Sequence, residues 1–112
     1  MPRIKTFGEF WPYYVREHAS PLNRRLHFIG TSLVVLSAAA FLVTGRWWFL
    51  LLMPLSGYGF AWVGHFVVEK NRPATFQYPL YSLASDFVMY GKMWTGGMKA
   101  ELRAVEKGDR DQ

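Results

Sequence analysis

Two apolar stretches separated by a single arginine constrain this chain more than any other feature of its 112 residues. From Phe28 to Gly45 no residue is charged, and from Trp47 through Val68 only His65 can ionise. The first stretch is about the shortest that crosses a hydrocarbon layer as a helix. Thr44-Gly45-Arg46 reads as a tight turn, so the pattern predicts two antiparallel membrane helices folded back on each other. The competing expectation is a hydrophobic soluble hairpin, but a water-soluble chain of this size buries only a modest core. An aromatic content of 18%, with five Trp and nine Phe, instead suits a protein that meets the membrane interface.

The flanking signals place the remaining helices. Thr6-Phe7-Gly8-Glu9 has the form of a capping box opening a helix that runs to about Glu17. Phe7, Phe10, Trp11 and Tyr14 form one aromatic face on it. That face predicts a helix lying on the membrane surface, kinked or broken into short pieces by Pro12. Ser20-Pro21 supplies an N-cap and a first-turn proline for the first span. Pro54, Gly57 and Gly59 are expected to bend the second span, with Gly57, Ala61 and Gly64 as a small-residue seam for close packing. Pro79 opens a further helix in which Leu80, Leu83, Phe87, Tyr90 and Trp94 share a face with Asp86 at its edge, and Thr95-Gly96-Gly97 ends it. The expected fold is a single all-α domain, an integral membrane helical hairpin of two spans with flanking amphipathic or interfacial helices. Its parts are an interfacial helix over 6–18, membrane helices over 20–44 and 47–70, an amphipathic or re-entrant helix over 79–95, and a solvated helix and tail over 98–112. Residues 1–5 read as an untethered start too polar for a signal peptide, and residues 108–112 as a disordered tail.

Charge sets the orientation. Of the thirteen Lys and Arg residues, twelve lie on the two terminal sides of the hairpin and only Arg46 lies at its turn. The positive-inside rule then predicts an inner (cytoplasmic) membrane protein with both termini in the cytoplasm. The net charge of +5 has no basic run interleaved with exposed aromatics, so no nucleic-acid partner is expected. The absence of cysteine excludes a disulfide framework, a thiolate zinc site and a cysteine nucleophile.

The polar residues left over converge. His65 and Glu69 are four apart, about 6 Å along a helix axis and on one face, so Glu69 is a candidate metal ligand or a candidate orienter of His65. If the chain folds back about Gly45, residues whose numbers sum to roughly 90 share a depth, given an equal rise on both helices. His27 then falls within a turn of His65, and Asn23 near Glu69, with His18 in the loop just above. Ionisable groups gathered at a membrane boundary tend to mark function. The spacing alone leaves three outcomes open: a metal-binding cluster, a b-type haem between two histidines, or an assembly protein whose histidines only hydrogen-bond backbone.

Tyr14 through Gly30, with Glu17-His18, Asn23-Arg24 and His27 inside it, followed by Gly64-His65, Glu69 and Arg72-Pro73-Ala74, resembles the membrane-bound 2-hydroxy-fatty-acid dioxygenase family, long catalogued as a domain of unknown function. The likeness covers roughly residues 7 to 95. It implies an Fe(II)-dependent enzyme of fatty-acid α-oxidation that uses O2 to shorten a long-chain 2-hydroxy fatty acid by one carbon. It also implies His18, His27 and His65 as the iron-binding residues. Longer members carry extra hydrophobic segments and further histidines, including a tandem pair where Glu17-His18 stands here. A three-histidine site would complete its coordination with Glu69, Asn23, water or substrate. Arg24 and Arg72 are candidates for holding the substrate carboxylate, with membrane-lipid phosphate as the competing partner. Tyr13, Tyr14 and Asp86 are candidate outer groups. Membrane lipid is the expected surrounding, and the reading leaves room for a homo-oligomer.

Overall fold

The computed structural model describes residues 3–110, all helix and connecting loop. Helix α1 spans Phe7–Arg16, α2 Pro21–Thr44, α3 Trp48–Trp62, α4 Pro79–Thr95 and α5 Met98–Arg110. Beyond Trp62 the third helix widens into a π-helical segment, Val63–Glu69, and a short 3-10 turn, Ala74–Phe76, precedes α4.

The hairpin forms as its sequence dictates. Ser20 caps α2, its hydroxyl accepting from the Asn23 amide, and Pro21 sits where its missing N–H costs nothing. Gly45 ends α2 in the left-handed conformation at φ 68°, and the chain reverses into α3. The two legs pack closely where side chains are small. A Cβ on Gly30 would lie 2.9 Å from the Ser56 carbonyl, and one on Gly57 would press on Val34 at 3.3 Å. At 24 residues α2 is about 36 Å long, enough to cross a bilayer. Two helices are thus long and apolar enough to span a membrane, Pro21–Thr44 and Trp48–Glu69. Only 17% and 11% of their most apolar windows are buried inside the protein, whereas the core helix of a soluble domain is mostly buried.

The remaining helices build a head at the open end of the hairpin. Its core is Phe10, Tyr14, Val15, Ala74, Met89 and Met98, all under 6% exposed. The aromatic face of α1 is therefore turned toward α4 and α5, not toward lipid, with Phe10 and Tyr14 among the most buried side chains. Pro12 lies inside α1 without breaking it: the carbonyl it leaves without its helical donor belongs to exposed Gly8, open to solvent. Residues 3–5 are tethered. Arg3 donates to the Gln77 carbonyl at 2.7 Å, Ile4 N–H donates to the Tyr78 hydroxyl, and the Tyr81 hydroxyl donates to the Lys5 carbonyl. At the other end, α5 is not purely solvated: Met98 is buried, Leu102 and Val105 pack on the core, and Glu101 takes both the Trp11 indole N–H and the Lys92 ammonium. Helix runs on through Gly108 to Arg110, in place of the expected disordered tail; Asp111 and Gln112, with Met1 and Pro2, lie outside the described residues.

Helix α4 is inside out. Its small and polar residues Ser82 and Ser85 are buried, while Leu80, Leu83, Phe87 and Trp94 are 47–80% exposed. It docks on α2 through Tyr90, which meets Ser32 at 2.9 Å and packs on Phe28.

Candidate metal centre

The fold brings together the three histidines of this chain, one from each of three segments. His18 follows α1 in the loop to α2, His27 stands nearly two turns into α2, and His65 lies in the π-helical segment. They are 1%, 6% and 2% exposed, and their ring centroids are 4.5, 4.5 and 5.0 Å apart, edge to face. One ring nitrogen from each lies within 4.8 Å of the others.

Hydrogen bonds fix which nitrogens these are. His18 Nδ1 donates to the Tyr14 carbonyl at 2.6 Å, and His27 Nδ1 to the Asn23 carbonyl at 3.1 Å, since a carbonyl only accepts. His65 Nδ1 meets Asn71 Oδ1 at 2.7 Å, and that amide is oriented by its own NH2, which donates to the Glu17 carbonyl and carboxylate. With all three protons on Nδ1, each neutral ring keeps a bare lone pair on Nε2. The Nε2 atoms of His18 and His27 face each other at 3.1 Å. Two lone pairs at that distance repel unless a cation lies between them, and protons are poor candidates: burial, then the neighbouring His27 and His65, hold His18 well below the usual imidazole range. Two nitrogens each about 2.1 Å from one ion, set at right to tetrahedral angles, are roughly 3.0–3.4 Å apart. Neutral imidazoles without thiolate suit zinc, copper, iron or nickel. The donor set suits a transition metal held by the three imidazoles, with the His18–His27 pair already at that spacing and the third ligand nitrogen within 4.8 Å.

A family model described as 2-hydroxy-palmitic acid dioxygenase Mpo1-like matches residues 4–98. The chain belongs to the Mpo1-like family. No curated protein and no solved structure matches it.

Beside the Mpo1-like histidine cluster runs an apolar cleft of about 310 Å³ between α2, α3 and α4. His27 and Asp86 stand in its wall with Thr31, Val34, Met53, Tyr58, Leu83 and Phe87. Tyr58, Leu83 and Phe87 are 45%, 51% and 47% exposed, so the cleft opens toward the outer surface of the bundle. Asp86 accepts the Tyr14 hydroxyl, and the Tyr14 ring stacks on His18 at 4.0 Å. Burial lifts the Asp86 carboxyl to about 6, against the lowering effect of that hydroxyl. Among the described residues no donor reaches its second oxygen.

The other residues singled out by sequence take different places. Glu69 does not meet His65: its Oε1 accepts from the Ser20 amide and, at 3.5 Å, from Asn23 Nδ2. The i,i+4 argument assumed an α-helical turn, whereas here the chain is π-helical and His65 turns to Asn71. Asn23 is fully buried against Gly64, where a Cβ would fall 1.8 Å from its Oδ1, and that oxygen has no donor among the described residues. Arg24 reaches the His18 and Ala19 carbonyls at 2.7 and 2.8 Å, bracing the His18 loop. Arg72 lies over the Phe76 ring in a separate surface pocket with Tyr13, Glu17 and Asn71. The bis-histidine haem needs imidazoles on opposite faces of a macrocycle, and three rings in edge contact leave no slot for one. Sequence reasoning missed Asn71 and the part played by Glu17. The available signal was an amide six residues after His65, immediately before Arg72-Pro73.

Proposed function

We propose that this protein is an Fe(II)-dependent dioxygenase that shortens long-chain 2-hydroxy fatty acids by one carbon, with His18, His27 and His65 as its metal ligands. The observation that carries the reading is the convergence of three buried imidazoles, one of them in the wall of an apolar cleft, in a chain of the Mpo1-like family. Iron, when bound, supplies the one-electron chemistry with O2 that organic side chains lack.

The protein's own residues do the rest. The Tyr14 and Asn23 carbonyls and the Asn71 amide hold the three imidazoles in the tautomer that ligates through Nε2. Val34, Met53, Leu83 and Phe87 take the acyl chain and exclude water from the reacting end. The exposed side of the cleft admits a substrate already dissolved in the bilayer. Arg24 acts on the site through the His18 carbonyl that it grips. Asn23 offers the site an unpaired buried acceptor, and Glu69 keeps Asn23 and the start of α2 in place. The protein works in the inner membrane, with the site and both termini on the cytoplasmic side.

The test is anaerobic iron loading of purified protein, then exposure to 2-hydroxypalmitate and air. The expected product is the acid one carbon shorter. Iron-loaded protein that leaves 2-hydroxypalmitate intact contradicts the assignment.

A further inference from the structure

The three imidazoles are not held alike. His18 and His27 lean on backbone carbonyls, which no substitution removes, whereas His65 alone leans on a side chain. That side chain is itself held at both donor positions: Asn71 Nδ2 lies 3.2 Å from the Glu17 carbonyl and 2.6 Å from Glu17 Oε2.

The backbone is bent to make this contact. The π-helical segment ends at Lys70, the only non-glycine residue at positive φ among the described residues, at 58°. A lysine there bears a strain that glycine would avoid, and such strain persists only where surrounding contacts enforce it. Its effect is to turn the Lys70 and Asn71 amides back onto the His65 carbonyl, the latter at 2.9 Å. Asn71 thereby clasps His65 twice, through its backbone N–H and through Oδ1. Because Glu17 immediately precedes His18, the same amide also ties the loop carrying one imidazole to the segment carrying another.

We propose that Glu17 and Asn71 are positioning residues that form an outer hydrogen-bond chain to the metal centre, setting the orientation and donor strength of His65. The proposal rests on the metal-centre reading above. The Glu17 carboxylate draws on the Asn71 N–H, the amide oxygen becomes a stronger acceptor, and the imidazole gives more electron density through Nε2.

The test is Co(II) titration of the full-length protein in detergent, following affinity and the visible ligand-field bands. Asn71→Leu is expected to weaken Co(II) binding by about 10–100-fold, the usual cost of losing an outer partner. Asn71→Asp alone sets two carboxylates against each other and is expected to recover little. The pair Asn71→Asp with Glu17→Gln reverses donor and acceptor between the two side chains, restoring that link with a carboxylate against His65 while the Glu17 carbonyl loses its donor. It is expected to bind Co(II) about tenfold more tightly than Asn71→Asp alone and to move the visible bands from their wild-type position, which a clamp that only joins two loops would not do. Wild-type affinity in Asn71→Leu overturns the chain while leaving the metal centre standing. If Asn71→Leu does not fold, the double variant decides: a folded double variant that binds no more tightly than Asn71→Asp alone, or with unmoved bands, overturns the proposal. A wild-type protein that binds neither Co(II) nor Fe(II) overturns the metal-centre reading and this inference with it.

Discussion

The head and the hairpin of this molecule are built on opposite principles. In the head, Phe10, Tyr14, Val15 and Met89 are at most 1% exposed, and side-chain hydrogen bonds link α1 to the residue 71 loop, α4 and α5. In the hairpin, α3 contains no buried residue, and Leu42 and Val43 are more than 80% exposed. Water drives the first kind of packing. Between the spans, where lipid tails are as apolar as leucine, close contact at Gly30 and Gly57 and the reversal at Gly45 have to serve. The histidines sit on the seam between the two regimes, where a polar cluster still finds backbone partners while an apolar cleft begins beside it.

The difference can be tested from its largest expected effect downward. His65→Ala removes one of three ligands, and metal content measured by elemental analysis is expected to fall from about one per chain to near zero, with helix content unchanged. Next, Phe10→Ala in the head core should cost roughly 3–5 kcal/mol in a detergent unfolding titration. Leu36→Ala, at a hairpin position 64% exposed, should cost under about 0.5 kcal/mol. Equal losses would erase the distinction between the two regions.

Asp86 at the seam gives a signed pH effect. Its folded carboxyl is raised from 3.8 to about 6, so the folded protein keeps a proton that the unfolded chain has released. The associated stability is fully present below about pH 4 and is lost as pH rises through about 6. Asp86→Asn removes the titration while retaining an acceptor for Tyr14. Its melting temperature should exceed wild type at pH 7, by the equivalent of on the order of 3 kcal/mol at most, and meet it near pH 4. Parallel curves across that range would show that Asp86 carries no such burden. The smallest effect belongs to Glu69→Gln, which keeps an oxygen for the Ser20 amide. Metal content there should stay within about twofold of wild type, since a neutral acceptor replaces a charged one that hydrogen-bonds none of the imidazoles.

Much of this was legible in the sequence because it rests on local signals. The Ser20-Pro21 start, the Gly45 stop and the uncharged runs define two long helices, and equal rise along both then brings His27 and His65 to one level. What was not legible depends on partners far along the chain or on backbone that departs from the α-helix. The aromatic face of α1 finds α4 and α5 more than sixty residues later, so its periodicity could not distinguish a protein partner from lipid. The π-helical segment and the left-handed Lys70 moved the partner of His65 from position 69 to position 71. A cleft wall such as Asp86 is defined by three helices at once and has no sequence signature.

The claim on which the rest depends is that three distant imidazoles share one metal ion. X-ray absorption at the iron edge of the anaerobically loaded protein reads this directly. The expected spectrum has three imidazole scatterers per iron, at about the 2.1 Å typical of metal–histidine bonds. An oxygen-only environment, with no outer-ring scattering from imidazole, would contradict it.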